Sequence, residues 1–148
     1  MKNLFPYLIS TLLAGAAAAQ GQSTAVTPKE KALQAKTVAE VLYILGVQSP
    51  EVGKLVLLKV PDIVGEGKKV SVEVISKMAG TDWIAVLADR NAVPLVHVQE
   101  FSPGTDRSVG VTVDLTQTSR IRALVRAGGK YYQVSREVKV ATAGCGKQ

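Results

Sequence analysis

The sequence predicts a mainly β fold: a β-sandwich preceded by one helix and followed by a short arm that bears a cysteine. Three observations carry that expectation. From Lys54 onward, short β-branched runs are separated by Gly, Pro, Asn and Asp, the pattern of half-buried strands bounded by turns. Ahead of them, Val38, Val41, Leu42 and Leu45 have the i, i+3, i+4, i+7 spacing of a helix with one buried face. Beyond Val140 the alternation stops, and the chain closes on Ala143-Gly144-Cys145-Gly146-Lys147-Gln148, which contains its only cysteine.

Taken in order, Lys2 precedes an apolar stretch from Leu4 to Ala18, and small residues fill Ala16 to Ala19. A charged start, a short apolar region and small residues at the end form a secretory signal, so residues 1–19 are expected to be removed after Ala19. A retained anchor would need about 20 apolar residues, and no basic cluster follows this stretch. The mature chain then starts near Gln20 and holds roughly 130 residues, enough for one domain with a core of its own. That domain is expected over residues 20–141, with the arm over residues 142–148.

Within the domain, Thr27 is placed to cap a helix and Pro28 occupies the first helical position, where a missing N–H costs nothing. Gly46 ends the helix. Strands are expected over Lys54 to Val60, Val70 to Ser76, Trp83 to Leu87, Leu95 to Phe101, Val109 to Leu115, Arg120 to Ala127, and Lys130 to Val140 with a possible break. In the second of these, Val70, Val72 and Val74 alternate with Ser71 and Glu73; in the sixth, Ile121, Ala123 and Val125 alternate with Arg120, Arg122 and Leu124. Gly128-Gly129 reads as a hairpin turn, because both central residues of such a turn need positive φ. About seven strands at this spacing point to a sandwich.

The formal net charge is +6, and it is unevenly placed. Arg120, Arg122, Arg126, Lys130, Arg136, Lys139 and Lys147 face a single acid, Glu137, in the C-terminal part of the chain. Such a surplus favours small anions through local potential. Nucleic acid is the rival partner, but aromatics are few and no nucleic-acid motif is present, so none is expected. One histidine and one cysteine cannot assemble a metal cluster, and neither a metal nor a cofactor is expected.

Cys145 has no partner within the chain, so in an exported protein it is either an intermolecular link or a reactive thiol. Gly144 and Gly146 lack Cβ atoms and make its surroundings thin and pliable. Free cysteine has a pKa near 8.5, so only a few per cent is thiolate at neutral pH. That suits a carrier whose partners do the activating. A catalytic cysteine needs a rigid scaffold that holds it to within ~0.5 Å of a base. From Val140 to Cys145 the arm can extend on the order of 17 Å, enough to enter another protein's cleft.

Other candidates give way to plainer readings. His97 lies on an expected strand and reads as a strand-face histidine. Trp83 reads as a sandwich core aromatic, and Tyr131 and Tyr132 as half-buried residues that close the last hairpin. Asp62 and Glu66 read as a solvated loop, and Gly65-Glu66-Gly67 lacks the helix start of a phosphate loop. Cys145-Gly146-Lys147-Gln148 lacks the aliphatic residues of a prenylation box.

The stretch Leu55-Val56-Leu57-Leu58-Lys59-Val60-Pro61-Asp62-Ile63-Val64-Gly65-Glu66-Gly67, then Val70-Ser71-Val72-Glu73-Val74, with the terminal Gly144-Cys145-Gly146, resembles the SoxY family of sulfur carriers of bacterial thiosulfate oxidation. The resemblance covers essentially the whole mature chain. It implies an immunoglobulin-like sandwich behind an N-terminal helical segment, with Cys145 carrying the sulfur substrate as a covalent adduct and Gly144 and Gly146 giving the arm its flexibility. It also implies a periplasmic, non-catalytic protein paired with a SoxZ-like companion subunit. Its further partners would be small sulfur anions and Sox-type enzymes: a cytochrome, a hydrolase and a sulfur dehydrogenase. The arm departs from the family's Gly-Gly-Cys-Gly-Gly ending in Ala143 and in Lys147-Gln148, and Lys2 stands where a twin arginine is frequent. The alternative reading from another class is a structural sandwich module that dimerises through Cys145. A third is a thiol enzyme using Cys145 with His97.

Overall fold

The computed structural model describes residues 26–141. Two helices open it, α1 over Pro28–Ala32 and α2 over Val38–Leu45. Nine strands follow: β1 Glu51–Val52, β2 Val56–Lys59, β3 Ile63–Gly65, β4 Lys69–Ser76, β5 Thr81–Ala88, β6 Leu95–Glu100, β7 Ser108–Asp114, β8 Ser119–Ala127 and β9 Lys130–Ala141. They form two sheets. The larger runs β1-β9-β8-β5-β6, with β3 also pairing β9, and the smaller runs β2-β4-β7.

Alternation explains the sandwich. Val70, Val72 and Val74 of β4 are fully buried and meet Ile84 and Val86 of β5 and Ile121, Ala123 and Val125 of β8 in one core. Removing each such valine from water contributes about 1.5–3 kcal/mol before the ordering entropy is counted. The mainly β sandwich expected from the sequence is the one found.

Four features differ from the sequence reading. The single helix expected from Thr27 to Gly46 is two short ones. Thr27 does cap α1 and Gly46, at φ 74°, does end α2, but Thr37 caps a fresh start by accepting the Glu40 N–H at 3.1 Å. The Thr-x-x-Glu pattern of a helix start was legible in Thr37-Val38-Ala39-Glu40, although the Glu40 carboxylate accepts from the Lys36 N–H at 2.9 Å rather than from Thr37. Its break lets Ala32, Ala35, Val41 and Val47 all bury against one surface.

That surface is the outer face of the large sheet, and it moves Trp83. Trp83 belongs with Ala85, Leu87, Leu95, Val98 and Leu124 in a second core beneath the helices, rather than in the sandwich. Its ring meets Tyr131 edge-on, with centroids 5.9 Å apart and planes at 89°. Strand β5 thus buries Ile84, Val86 and Ala88 on one face and Trp83, Ala85 and Leu87 on the other. Burial on both faces is why its sequence is an unbroken apolar run.

The remaining differences concern β9. It runs from Lys130 to Ala141 without a break. Two short strands absent from the sequence reading, β1 and β3, pair with it in parallel along its outer edge. Gly53 links β1 to β2 at close quarters; a Cβ there would stand 3.0 Å from Val56 Cγ2 and 3.2 Å from Val134 Cγ2. The expected Gly128-Gly129 turn is present, with φ of 59° and 78°.

Candidate functional site

Cys145, Gly144 and Gly146 lie outside the described residues. What the structure describes is the root from which that segment departs. The ladder between β8 and β9 closes at the pair Ser119 and Val138, and Val138 is fully buried. Three residues of β9 continue past it. Lys139 donates its N–H to the Asp62 carbonyl at 2.8 Å, and Ala141 accepts the Glu66 N–H at 3.0 Å. Between them, Val140 donates to the Thr118 hydroxyl oxygen at 3.0 Å.

Strand β3 supplies the rest of this root. Ile63, Val64 and Gly65 register with Lys139, Val140 and Ala141. Val64 is half-buried against the sandwich core, whereas Ile63 is 62 % exposed. The chain then turns through Glu66 and Gly67, closed by the Lys68 N–H on the Gly65 carbonyl at 3.1 Å, with Gly67 at φ 77° and Glu66 at ordinary negative φ. That is a type II turn, in which the third residue needs positive φ. By sequence, Asp62 and Glu66 read as a solvated loop. Their backbones hold the end of β9, a role that leaves no mark on side-chain type.

Electrostatics near β8 and β9 are more balanced than the count of cations suggests. Arg122 Nε and Nη2 bond Asp89 Oδ1 and Oδ2 at 2.6 and 2.8 Å, and Arg126 Nε bonds Asp82 Oδ1 at 2.8 Å. Hydrogen bonding to these carboxylates raises both guanidinium pKa values above their ordinary value, against a smaller opposing effect of burial. Arg120 faces Glu137 across the ladder. A cleft of about 450 Å³ beside the root, lined by Asp89, Arg90, Thr118, Arg120 and Glu137 among others, therefore carries both signs of charge. The expected attraction for anions is not concentrated there.

His97 sits half-buried on β6, and β8 and β5 separate that strand from β9. Three inter-strand spacings put the two strands roughly 14 Å apart, so the structure does not bring His97 to the root. Among the described residues no cluster of three His, Cys, Asp or Glu side chains is placed to hold a metal ion, and no helix is long and apolar enough to cross a membrane.

These features define an immunoglobulin-like sandwich whose last strand, β9, ends at the sheet edge in a pairing with β3. A model of the sulfur oxidation protein SoxY matches residues 41–145, and the chain belongs to that family. The match ends on Cys145. Among solved structures, the sulfur carrier protein SoxY from Chlorobium limicola f thiosulfatophilum is similar at 26 % identity and a TM-score of 0.64, covering 70 % of this chain and 94 % of that one. A superoxide reductase (neelaredoxin) from Ignicoccus hospitalis shares the fold at 17 % identity and a TM-score of 0.53, covering 58 % of this chain and 80 % of that one. Among curated proteins, none is significantly similar to the chain.

Proposed function

We propose that the protein is a non-catalytic sulfur carrier, exported to the periplasm, that bears thiosulfate-derived intermediates on Cys145. The observation that carries this reading is the family match, which runs through the sandwich and into the tail as far as Cys145. The described fold supports it. The end of β9 is held at the sheet edge, and Cys145 lies four residues beyond Ala141 in the sequence, a length of at most roughly 14 Å if fully extended. Joining the Cys145 sulfur to the outer sulfur of thiosulfate forms one S–S bond and releases the thiol proton and two electrons. A cytochrome-type partner must take those electrons, and the carrier's task is to present the thiol and later the adduct. The companion is a SoxZ-like subunit, and the enzymes that act on the adduct reach it on the arm.

Intact mass of the mature protein, incubated with its partner enzymes and thiosulfate, tests the proposal. A mass increase that maps to Cys145 and is absent from Cys145→Ser is the expected result, together with loss of thiosulfate oxidation in the variant. Full turnover with Cys145→Ser would sink the carrier reading. A reducible dimer with no adduct would instead point to a module linked through Cys145.

A further inference from the structure

We propose that β7 is a docking edge at which two copies of this chain pair antiparallel about Val111, joining their small sheets into one. The inference goes beyond the carrier reading and does not depend on Cys145. A strand at the edge of a sheet presents unpaired N–H and C=O groups, and natural sheets blunt such edges with short strands, Lys, Pro or bulges. The other edges here are blunted in these ways. β1 and β3 have two and three residues, β2 has four and ends on Lys59, and the pairing of β6 with β5 is irregular between Val86 and Leu87. Strand β7 lies at the open side of the small sheet, runs from Ser108 to Asp114 in unbroken register with β4, and contains neither Lys nor Pro.

The direction of its free groups follows from the ladder. The Arg107 carbonyl accepts the Ser76 N–H at 3.0 Å, so alternate residues from Arg107 onward bond towards β4, and Ser108, Gly110, Thr112 and Asp114 point their backbone groups away. The Asp114 carbonyl accordingly accepts from Asn91 Nδ2 at 3.2 Å, whereas among the described residues nothing bonds the outward groups of Gly110 and Thr112. An antiparallel second copy centred on Val111 sets Gly110 against Thr112, and each such pair exchanges both of its bonds. Opposed residues share a face, so Val109 meets Val113, both buried, and the half-buried Val111 meets its own counterpart. Asp114 meets Ser108, so no like charges oppose, and Asp114 is already paired with Lys69 at 3.1 Å. A Cβ on Gly110 would meet nothing within 4 Å, which leaves the approach open. The occupant is a second β7, because a two-fold contact must be self-complementary and this register is.

Charges placed at the exposed Gly110 and Thr112 test both the edge and the register. The background is the full mature chain with Cys145→Ser, so that no disulfide contributes. Sedimentation velocity over a concentration series is expected to show a reversible dimer. Gly110→Lys with Thr112→Lys sets like charges opposite each other and should raise the dissociation constant by about tenfold or more. Gly110→Lys with Thr112→Asp sets opposite charges together in the same register and should keep the dimer. Circular dichroism checks that the two fold alike. Thr112→Pro, whose missing N–H is an outward one that an edge strand tolerates, is compared in the same way with Thr112→Ala, and only the proline variant should lose the dimer. A monomer at every soluble concentration, as when β7 takes up only the companion subunit, overturns the proposal, and so do equal dissociation constants within both comparisons. Neither result bears on the adduct at Cys145, which the mass measurement reads separately.

Discussion

Arg122 grips Asp89 through two parallel bonds of 2.6 and 2.8 Å, with about a quarter of each side chain exposed at 22 % and 24 %. The pair ties the turn after β5 to the middle of β8, where the Asp89 N–H also bonds the Arg120 carbonyl at 3.0 Å. A cation that the sequence offered as a source of positive potential is thus part of the scaffold. Fork-to-carboxylate geometry of this kind is the strong form of ion pair.

Breaking that pair therefore destabilises the domain. Arg122→Met leaves Asp89 half-buried without its partner, and the expected cost is about 1–2 kcal/mol, between the values for exposed and for fully buried pairs. Thermal unfolding followed by the fluorescence of Trp83 measures it. An unchanged Tm would show the pair to be neutral.

Gly53 and Gly110 make a contrasting pair. A Cβ on Gly53 meets Val56 Cγ2 at 3.0 Å and Val134 Cγ2 at 3.2 Å, whereas one on Gly110 meets nothing within 4 Å. Gly53→Ala is expected to lower stability by about 1–3 kcal/mol through overpacking. Gly110→Ala on β7 should be neutral or slightly stabilising, since glycine is a poor strand residue. Urea denaturation of the two variants compares them directly, and equal midpoints would contradict the crowding at Gly53.

The start of α1 responds to acid. The Thr27 N–H donates to Glu30 Oε2 at 2.8 Å and its hydroxyl to the same atom at 3.0 Å, and these bonds, the backbone one foremost, hold the carboxyl below its ordinary value of 4.5. A lowered folded-state pKa means that this contribution is complete above the unfolded value and is lost as pH falls through the folded one. Amide exchange at Thr27 should therefore accelerate as pH drops below 4.5 relative to Glu30→Gln, which has no carboxyl to titrate. Because Glu30 is exposed, the effect stays local to α1 and leaves the global unfolding transition in place. Identical pH profiles for the two proteins would remove the role of the charge.

Arm shape is expected to matter for transfer and not for folding. Val138 is the last fully buried residue of β9, so Gly144→Val and Gly146→Val should change stability by less than about 0.5 kcal/mol. Both should slow transfer to every partner whose cleft must admit the segment. Trimming the chain after Gly146 separates the effect of Lys147-Gln148 from that of bulk beside the thiol. Unchanged partner turnover across all three variants would mean that arm shape is irrelevant.

Much of this was legible from local pattern. Val70, Val72 and Val74 alternate because β4 has one wet face and one dry, and a period of two reports that directly. Gly128-Gly129 and Gly46 were readable because positive φ restricts the residue type. Thr37 carries a helix-start signal of its own, but the helical spacing of Val38 to Leu45 reads equally well as a continuation from the Thr27 cap. Trp83 could not be placed from sequence. A strand buried on both faces has no polar side to mark which neighbour each residue meets.

By itself the sequence determined the sandwich, the position of its hairpins and the terminal thiol, because each depends on side-chain chemistry repeated at short range or on the presence of a single residue. Only the tertiary structure decided that the helices roof the outer face of the large sheet, that Trp83 faces them, and that β3 binds the end of β9. Those outcomes depend on which distant segments come together. In the β3 contact the decisive groups are the Asp62 carbonyl, the Glu66 N–H and the Ala141 carbonyl, backbone groups of a kind that nearly every residue carries. Their pairing is fixed by where the packed core leaves the strand ends, and no residue type announces it.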